Sequence, residues 1–140
     1  MKKILIQNIF IYFTLLGIAN ADKSFFNTAK DLFDNKRFDE AKFKFEQDIV
    51  YNPKNENSYL YLAKIYKIEK NNNLEESNLK TVILLNPENE EAVHDLTLLK
   101  LRKSDYEQSQ KLIQNFKLIC NKRCSESSKL QKKLDNLIKK

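Results

Sequence analysis

Cys120 and Cys124 are the only cysteines in this chain of 140 residues, with Asn121-Lys122-Arg123 between them. Thiols this close can bond to each other, exchange with another disulfide, or ligate a metal. The spacing is C-x3-C, not the C-x-x-C of thioredoxin-like motifs, and no βαβ pattern surrounds it. A zinc site takes about four ligands, and His94 is the only histidine. Attachment of c-type haem requires C-x-x-C-H, which is absent. No metal and no cofactor are therefore expected. His94 has no motif that supplies a nucleophile and an acid, so it reads as an exposed residue on a helix surface. Glu75-Glu76 and Glu88-Asn89-Glu90-Glu91 lie where helices should start. Negative charge there complements the helix dipole, which explains them better than acid–base catalysis does.

Glycine sets a second limit. The only one is Gly17, near the N-terminus. Phosphate-cradling loops, dinucleotide fingerprints and nucleophile elbows all need glycines where the backbone turns sharply or approaches a ligand. With two prolines and many Leu, Lys, Glu and Asn, the chain is expected to be all-α. It is not expected to be an enzyme.

The first residues look like an export signal. Lys2 and Lys3 precede a mostly apolar run from Ile4 to Ile18, and Ala19-Asn20-Ala21 forms an A-x-A site. Cleavage is expected between Ala21 and Asp22, leaving a mature domain of residues 22–140. The run is short for a membrane span, which needs about 20 residues. Contact with a membrane is expected only through the signal before cleavage. Removal of residues 1–21 takes away Lys2 and Lys3 and no acid, so 23 cations face 19 acids, a net charge of +4. Interspersed signs on Lys-rich helices describe a solvated surface, and nucleic acid is not an expected partner. The expected location is outside the cytoplasm, in the periplasm first and secreted second. In such a compartment an even, adjacent cysteine pair at a turn points to a disulfide between Cys120 and Cys124.

Asn52-Pro53 and Asn86-Pro87 lie 34 residues apart, each at the end of an amphipathic run. Counting back from them gives repeats over about 22–55, 56–89 and 90–123. Phe25, Ala29, Leu32, Ala41 and Phe45 in the first recur as Tyr59, Leu62, Ala63 and Tyr66 in the second. Leu96, Thr97, Ser109, Ile113 and Phe116 follow in the third. On period and positions the chain resembles the tetratricopeptide-repeat (TPR) family, over nearly all of residues 22–140. The resemblance implies a right-handed α-solenoid of three helix pairs. A capping helix over about 125–139 follows, with Leu130, Leu134, Leu137 and Ile138 on one face. Some positions depart from the family's pattern. Asp48 stands where a small residue is usual, Lys100 where an aromatic is, and Cys120-Asn121 where the third Asn-Pro would be. Around Leu74-Glu75-Glu76-Ser77 the second repeat looks shifted by about two residues and its second helix shortened. With no glycine available, Asn35, Asn72 and Asn121 are expected at left-handed helix ends.

The resemblance also implies a concave binding face built from first helices. It would comprise Phe26, Lys30 and Phe33, then Leu60, Lys64 and Lys67, then His94 and Leu98. Apolar anchors rimmed by lysine suit a peptide or helix of a protein partner. The function expected is a non-catalytic interaction scaffold or adaptor in the cell envelope. Two alternatives are a thiol–disulfide accessory using Cys120 and Cys124, and a membrane-tethered subunit of an envelope complex.

Overall fold

The structure, a computed structural model, describes residues 22–139. The expected signal segment, with its cleavage point after Ala21, lies outside them. The described chain consists of seven helices: α1 (Asp22–Asp34), α2 (Phe38–Tyr51), α3 (Glu56–Ile68), α4 (Asn72–Leu85), α5 (Glu90–Arg102), α6 (Tyr106–Ile119) and α7 (Cys124–Ile138). It divides into two compact units, one ending at Pro53 and one running from Lys54.

In the first unit α1 and α2 pack as a pair. Small residues set how closely two helices approach, and Ala29 and Ala41 are both fully buried. Aromatic side chains fill the remaining space. Phe26 lies 5.8 Å from Phe45 between ring centroids, Phe33 meets Phe38 edge-on at 5.3 Å, and Phe25 stacks on Tyr51 at 5.3 Å. Asp48 is buried, and the Asn52 side chain donates to its carboxylate at 3.3 Å.

In the second unit each helix packs on the next, and α7 lies on α6 and also touches α5. One core layer joins Leu60, Ala63, Leu79, Val82, Ala92, Leu96 and Leu99. A second joins Val93, Leu101, Ile113 and Phe116 to Leu130 and Leu134 of α7. The terminal helix thus covers an apolar face that would otherwise meet water, an effect of about 25 cal/mol per Å² of apolar area. It begins at Cys124, one residue earlier than the sequence suggests, because Cys124 itself takes helical geometry.

The repeat is more regular than the sequence suggests. The helices α1 to α6 alternate between 13 and 14 residues. Hence α4 is neither shifted nor shortened. Glu75 simply occupies the place of Ala41 and Ser109, and all three are buried.

The turns inside the three pairs are also alike, but asparagine does not make them. Among the described residues, those with positive φ are Lys36 (62°), Lys70 (57°) and Ser104 (57°), at intervals of 34 residues. Around each, the helix closes with the same two bonds. The amides of Lys36, Lys70 and Ser104 donate to Phe33, Lys67 and Leu101, and those of Arg37, Asn71 and Asp105 to Leu32, Tyr66 and Lys100. This is the Schellman arrangement, in which a left-handed residue lets the next amides reach back. A side chain with a Cβ strains that conformation by roughly 1–2 kcal/mol. Asn35 precedes the position, Asn72 opens α4, and Asn121 lies after α6. Asparagine instead caps helix starts. The side chains of Asn55, Asn71 and Asn89 accept from Asn57, Leu74 and Ala92 at 3.0–3.2 Å.

Candidate interaction site

The residues expected on a partner face divide by environment. Leu60 is a core residue, 5% exposed, because its side of α3 is covered by the layer around Val82 and Leu96. It cannot anchor a ligand without breaking that layer. Phe26 and Phe33 spend their rings on Phe45 and Phe38, and Lys30 pairs with Asp34 at 2.7 Å. These three belong to the first unit.

In the second unit, Lys64 and Lys67 of α3 reach across to α5, where His94 stands beside Asp95. Ion pairs cross between the helices here: Lys64 Nζ lies 2.9 Å from Glu91, and Lys67 Nζ 3.9 Å from Asp95. Lys64 also sits 4.6 Å above the Tyr61 ring. Leu98 packs against the second core layer.

His94 is not the exposed residue that its sequence context suggests; its side chain is 12% exposed. Its ring lies 6.0 Å from that of Phe116, with Nδ1 3.1 Å from Asp95 Oδ1 and Nε2 4.0 Å from Glu126 Oε2 of α7. Burial pushes the Asp95 carboxyl up, but the His94 hydrogen bond and the nearby lysines outweigh it. The carboxyl stays below its ordinary value. The face therefore carries matched charges that are partly withdrawn from water.

Beside it lies a feature that the sequence did not suggest. The Glu90 carboxylate accepts three successive backbone N–H groups from the residues between the cysteines. Asn121 and Lys122 donate to Oε1 at 2.7 and 3.1 Å, and Arg123 donates to Oε2 at 3.0 Å. These bonds, that of Asn121 foremost, hold the carboxyl below its ordinary value. The Sγ atoms of Cys120 and Cys124 are bonded, 2.11 Å apart. Two features of the sequence could have revealed it. Glutamate opens both α3 and α5, and the missing third proline leaves Asn121 with an N–H to donate.

A second missed cluster joins α4 to α5. Glu75 Oε2 meets Arg102 at 2.6 Å, and its Oε1 is buried without a partner. Glu76 meets Lys103, Lys80 and Lys100 at 2.7–2.9 Å. Those bonds, led by Lys103, lower its carboxyl to about 2. Lys100 also reaches Asp105 at 3.2 Å. Lys100, the lysine in place of an aromatic in α5, thus finds its partner in Glu76 of α4.

Among the described residues, no group of His, Cys, Asp and Glu is placed to hold a metal ion. None of the helices is long and apolar enough to cross a membrane.

No family model matches the sequence, and no curated protein matches it. Solved structures do. One is the first TPR domain of Spaghetti (RPAP3) bound to an HSP90 peptide, with TM-score 0.72 and 16% identity over 84% of this chain and 95% of that one. Another is a tetratricopeptide repeat protein from Parabacteroides merdae, with TM-score 0.79 and 16% identity, covering 88% of this chain and 48% of that one. A third is the Yersinia enterocolitica type III secretion chaperone SycD in complex with a peptide of the translocator YopD. It has TM-score 0.72 and 9% identity over 82% of this chain and 90% of that one. At these identities the likeness concerns the backbone alone. With the 34-residue recurrence of helices and turns, it establishes that this chain has the tetratricopeptide-repeat fold, an all-α helical-repeat solenoid.

Proposed function

We propose that this protein is a non-catalytic interaction module that receives a peptide or helix of a partner protein on the face of α3 and α5, in the cell envelope. The observation that carries the proposal is the set of ion pairs crossing that face, Lys64–Glu91 and Lys67–Asp95, beside half-buried His94. Each lysine can exchange its acid for one on the partner. Half-withdrawn charges gain more from such an exchange than fully solvated ones. Two proteins of similar fold hold peptides, from HSP90 in one case and from a translocator in the other.

The envelope setting rests on Lys2-Lys3, the apolar run and Ala19-Asn20-Ala21. Intact mass of the exported protein tests it; loss of residues 1–21 is expected, and retention of Met1 contradicts it. The binding face is tested with a photo-crosslinking residue at Lys64 or Lys67, with Lys111 on α6 as the control. Capture of the same partner from both face positions, and not from the control, is expected. Equal capture at Lys111 contradicts the proposal.

A further inference from the structure

We propose that the Cys120–Cys124 bond regulates this partner face, and that Glu90 is the positioning residue through which the state of the bond reaches it. The inference rests on the reading of α3 and α5 as the partner site. Cys120 ends α6 and Cys124 begins α7, so the bond closes a five-residue ring at the junction of the two helices. Inside the ring, three consecutive N–H groups converge on one carboxylate, that of Glu90. A flexible loop would offer these donors in many directions. The ring offers them in one, the arrangement of an anion-binding nest.

Glu90 is the first residue of α5. His94 stands one turn further on the same face, as residues four apart do. Its Nε2 points to Glu126 of α7, whose own amide donates to the Arg123 carbonyl at 2.8 Å. The first turns of α5 therefore touch the ring through Glu90 and the start of α7 through His94. Loosening the ring frees both contacts together.

The chemical step is a thiol–disulfide exchange with a dithiol reductant. The reductant supplies two electrons and two protons. The Sγ–Sγ bond breaks, Cys120 and Cys124 become thiols, and the reductant leaves as its own disulfide. In the bonded form the three N–H bonds to Glu90 hold the start of α5 against the junction of α6 and α7, and the face is assembled. In the dithiol form Glu90 returns to water, Glu126 leaves His94, and the face loses its third-repeat side.

The test uses the full mature protein, bonded and after reduction with dithiothreitol, and needs no partner. Two signals are followed by NMR: amide exchange at Asn121, Lys122 and Arg123, and the ring resonance of His94. Reduction is expected to speed the three amides by about tenfold or more and to move the His94 resonance. Glu90→Gln is expected to move that resonance in the bonded form as well, with the disulfide intact. The Cys120→Ser/Cys124→Ser variant should behave as the reduced protein. Unchanged amides and an unchanged His94 resonance on reduction would overturn the proposal. So would equal loosening of all helices α3 to α7, which would make the bond a general staple. If the responses appear but Lys64 and Lys67 capture nothing, the switch stands and the functional reading falls.

Discussion

The second and third repeats of the unit beginning at Lys54 share helix lengths and internal turns, yet they are closed by different chemistry. After α4, Asn86 and Asn89 flank Pro87, and both side-chain amides donate to Glu56 at 3.0 and 3.2 Å. After α6 there is no proline, and the backbone itself donates, three N–H groups to Glu90. A glutamate at the start of each repeat thus ties down the turn at its end. In one case rigidity comes from a pyrrolidine ring, which fixes φ and removes a donor. In the other it comes from a disulfide, which leaves the donors available. Cys120 has φ −63° and ψ 136°, the extended geometry usual before a proline. The third turn thus uses the N–H that proline would remove.

The largest effect should fall on what the two repeats share. Ala63 and Thr97 hold the same position where the paired helices touch, and both are buried. Thr97 also donates to the Val93 carbonyl at 2.7 Å. Leucine at either site should cost about 1–3 kcal/mol through overpacking. Lys64→Leu, on the partner face, should stay within about 0.5 kcal/mol. Urea denaturation measures all three; equal midpoints for Ala63→Leu and Lys64→Leu would contradict the repeat register.

Next comes the closure itself. Loss of the disulfide by Cys120→Ser/Cys124→Ser should cost at most about 2 kcal/mol, because the closed loop is small. The loss should concentrate in α7, which hydrogen exchange can localise. Asn121→Pro would restore the proline of the second turn but remove a donor to Glu90. It should increase exchange at Lys122 and Arg123 without touching the turn at Pro87.

Acid should separate the repeats at the α4–α5 junction. Glu76 titrates at about 2 against an ordinary 4.5, held down by Lys103, Lys80 and Lys100. Its folded value lies below its unfolded one. Its contribution is therefore full above 4.5 and drains away as pH falls from 4.5 towards 2. The melting temperature of the native protein should fall more steeply across that window than that of Glu76→Gln. Parallel curves would show that the cluster contributes nothing. A small effect is also expected from Glu75→Ala, which gives the second repeat the small residue of the first. It removes a carboxylate with an unpartnered oxygen and leaves Arg102 with a side chain 38% exposed. No stranded buried charge results, so the change in stability should stay within about 1 kcal/mol.

Much of the fold was legible because burial and period are local properties of a repeat. The Asn-Pro interval, and Ala29, Ala41, Ala63 and Ser109 at the contacts, show in the order of residues alone. The register of α4 did not, because Glu75 is a large acid at a small-residue position. Its burial depends on Arg102, which lies in another helix. Nor did the left-handed residues. Lys36 and Lys70 have no intrinsic preference for that conformation and are held in it by the flanking helix ends. Of the candidate site, Lys64 and Lys67 were expected from the family resemblance, and each forms an ion pair with α5. The environment of His94 was not expected, because Phe116 and Glu126 reach it from α6 and α7. Leu60 was expected there through the same resemblance, but the layer around Val82 and Leu96 covers its side of α3.

The two turns are closed by equivalent glutamates, only one of which works through the disulfide. A double-mutant cycle tests it most directly: Glu56→Ala and Glu90→Ala, each measured by urea denaturation with the disulfide intact and reduced. The effect of Glu56→Ala is expected to be the same in both states, whereas that of Glu90→Ala is expected in the bonded form and largely lost on reduction. Equal effects of Glu90→Ala in the two states would contradict it.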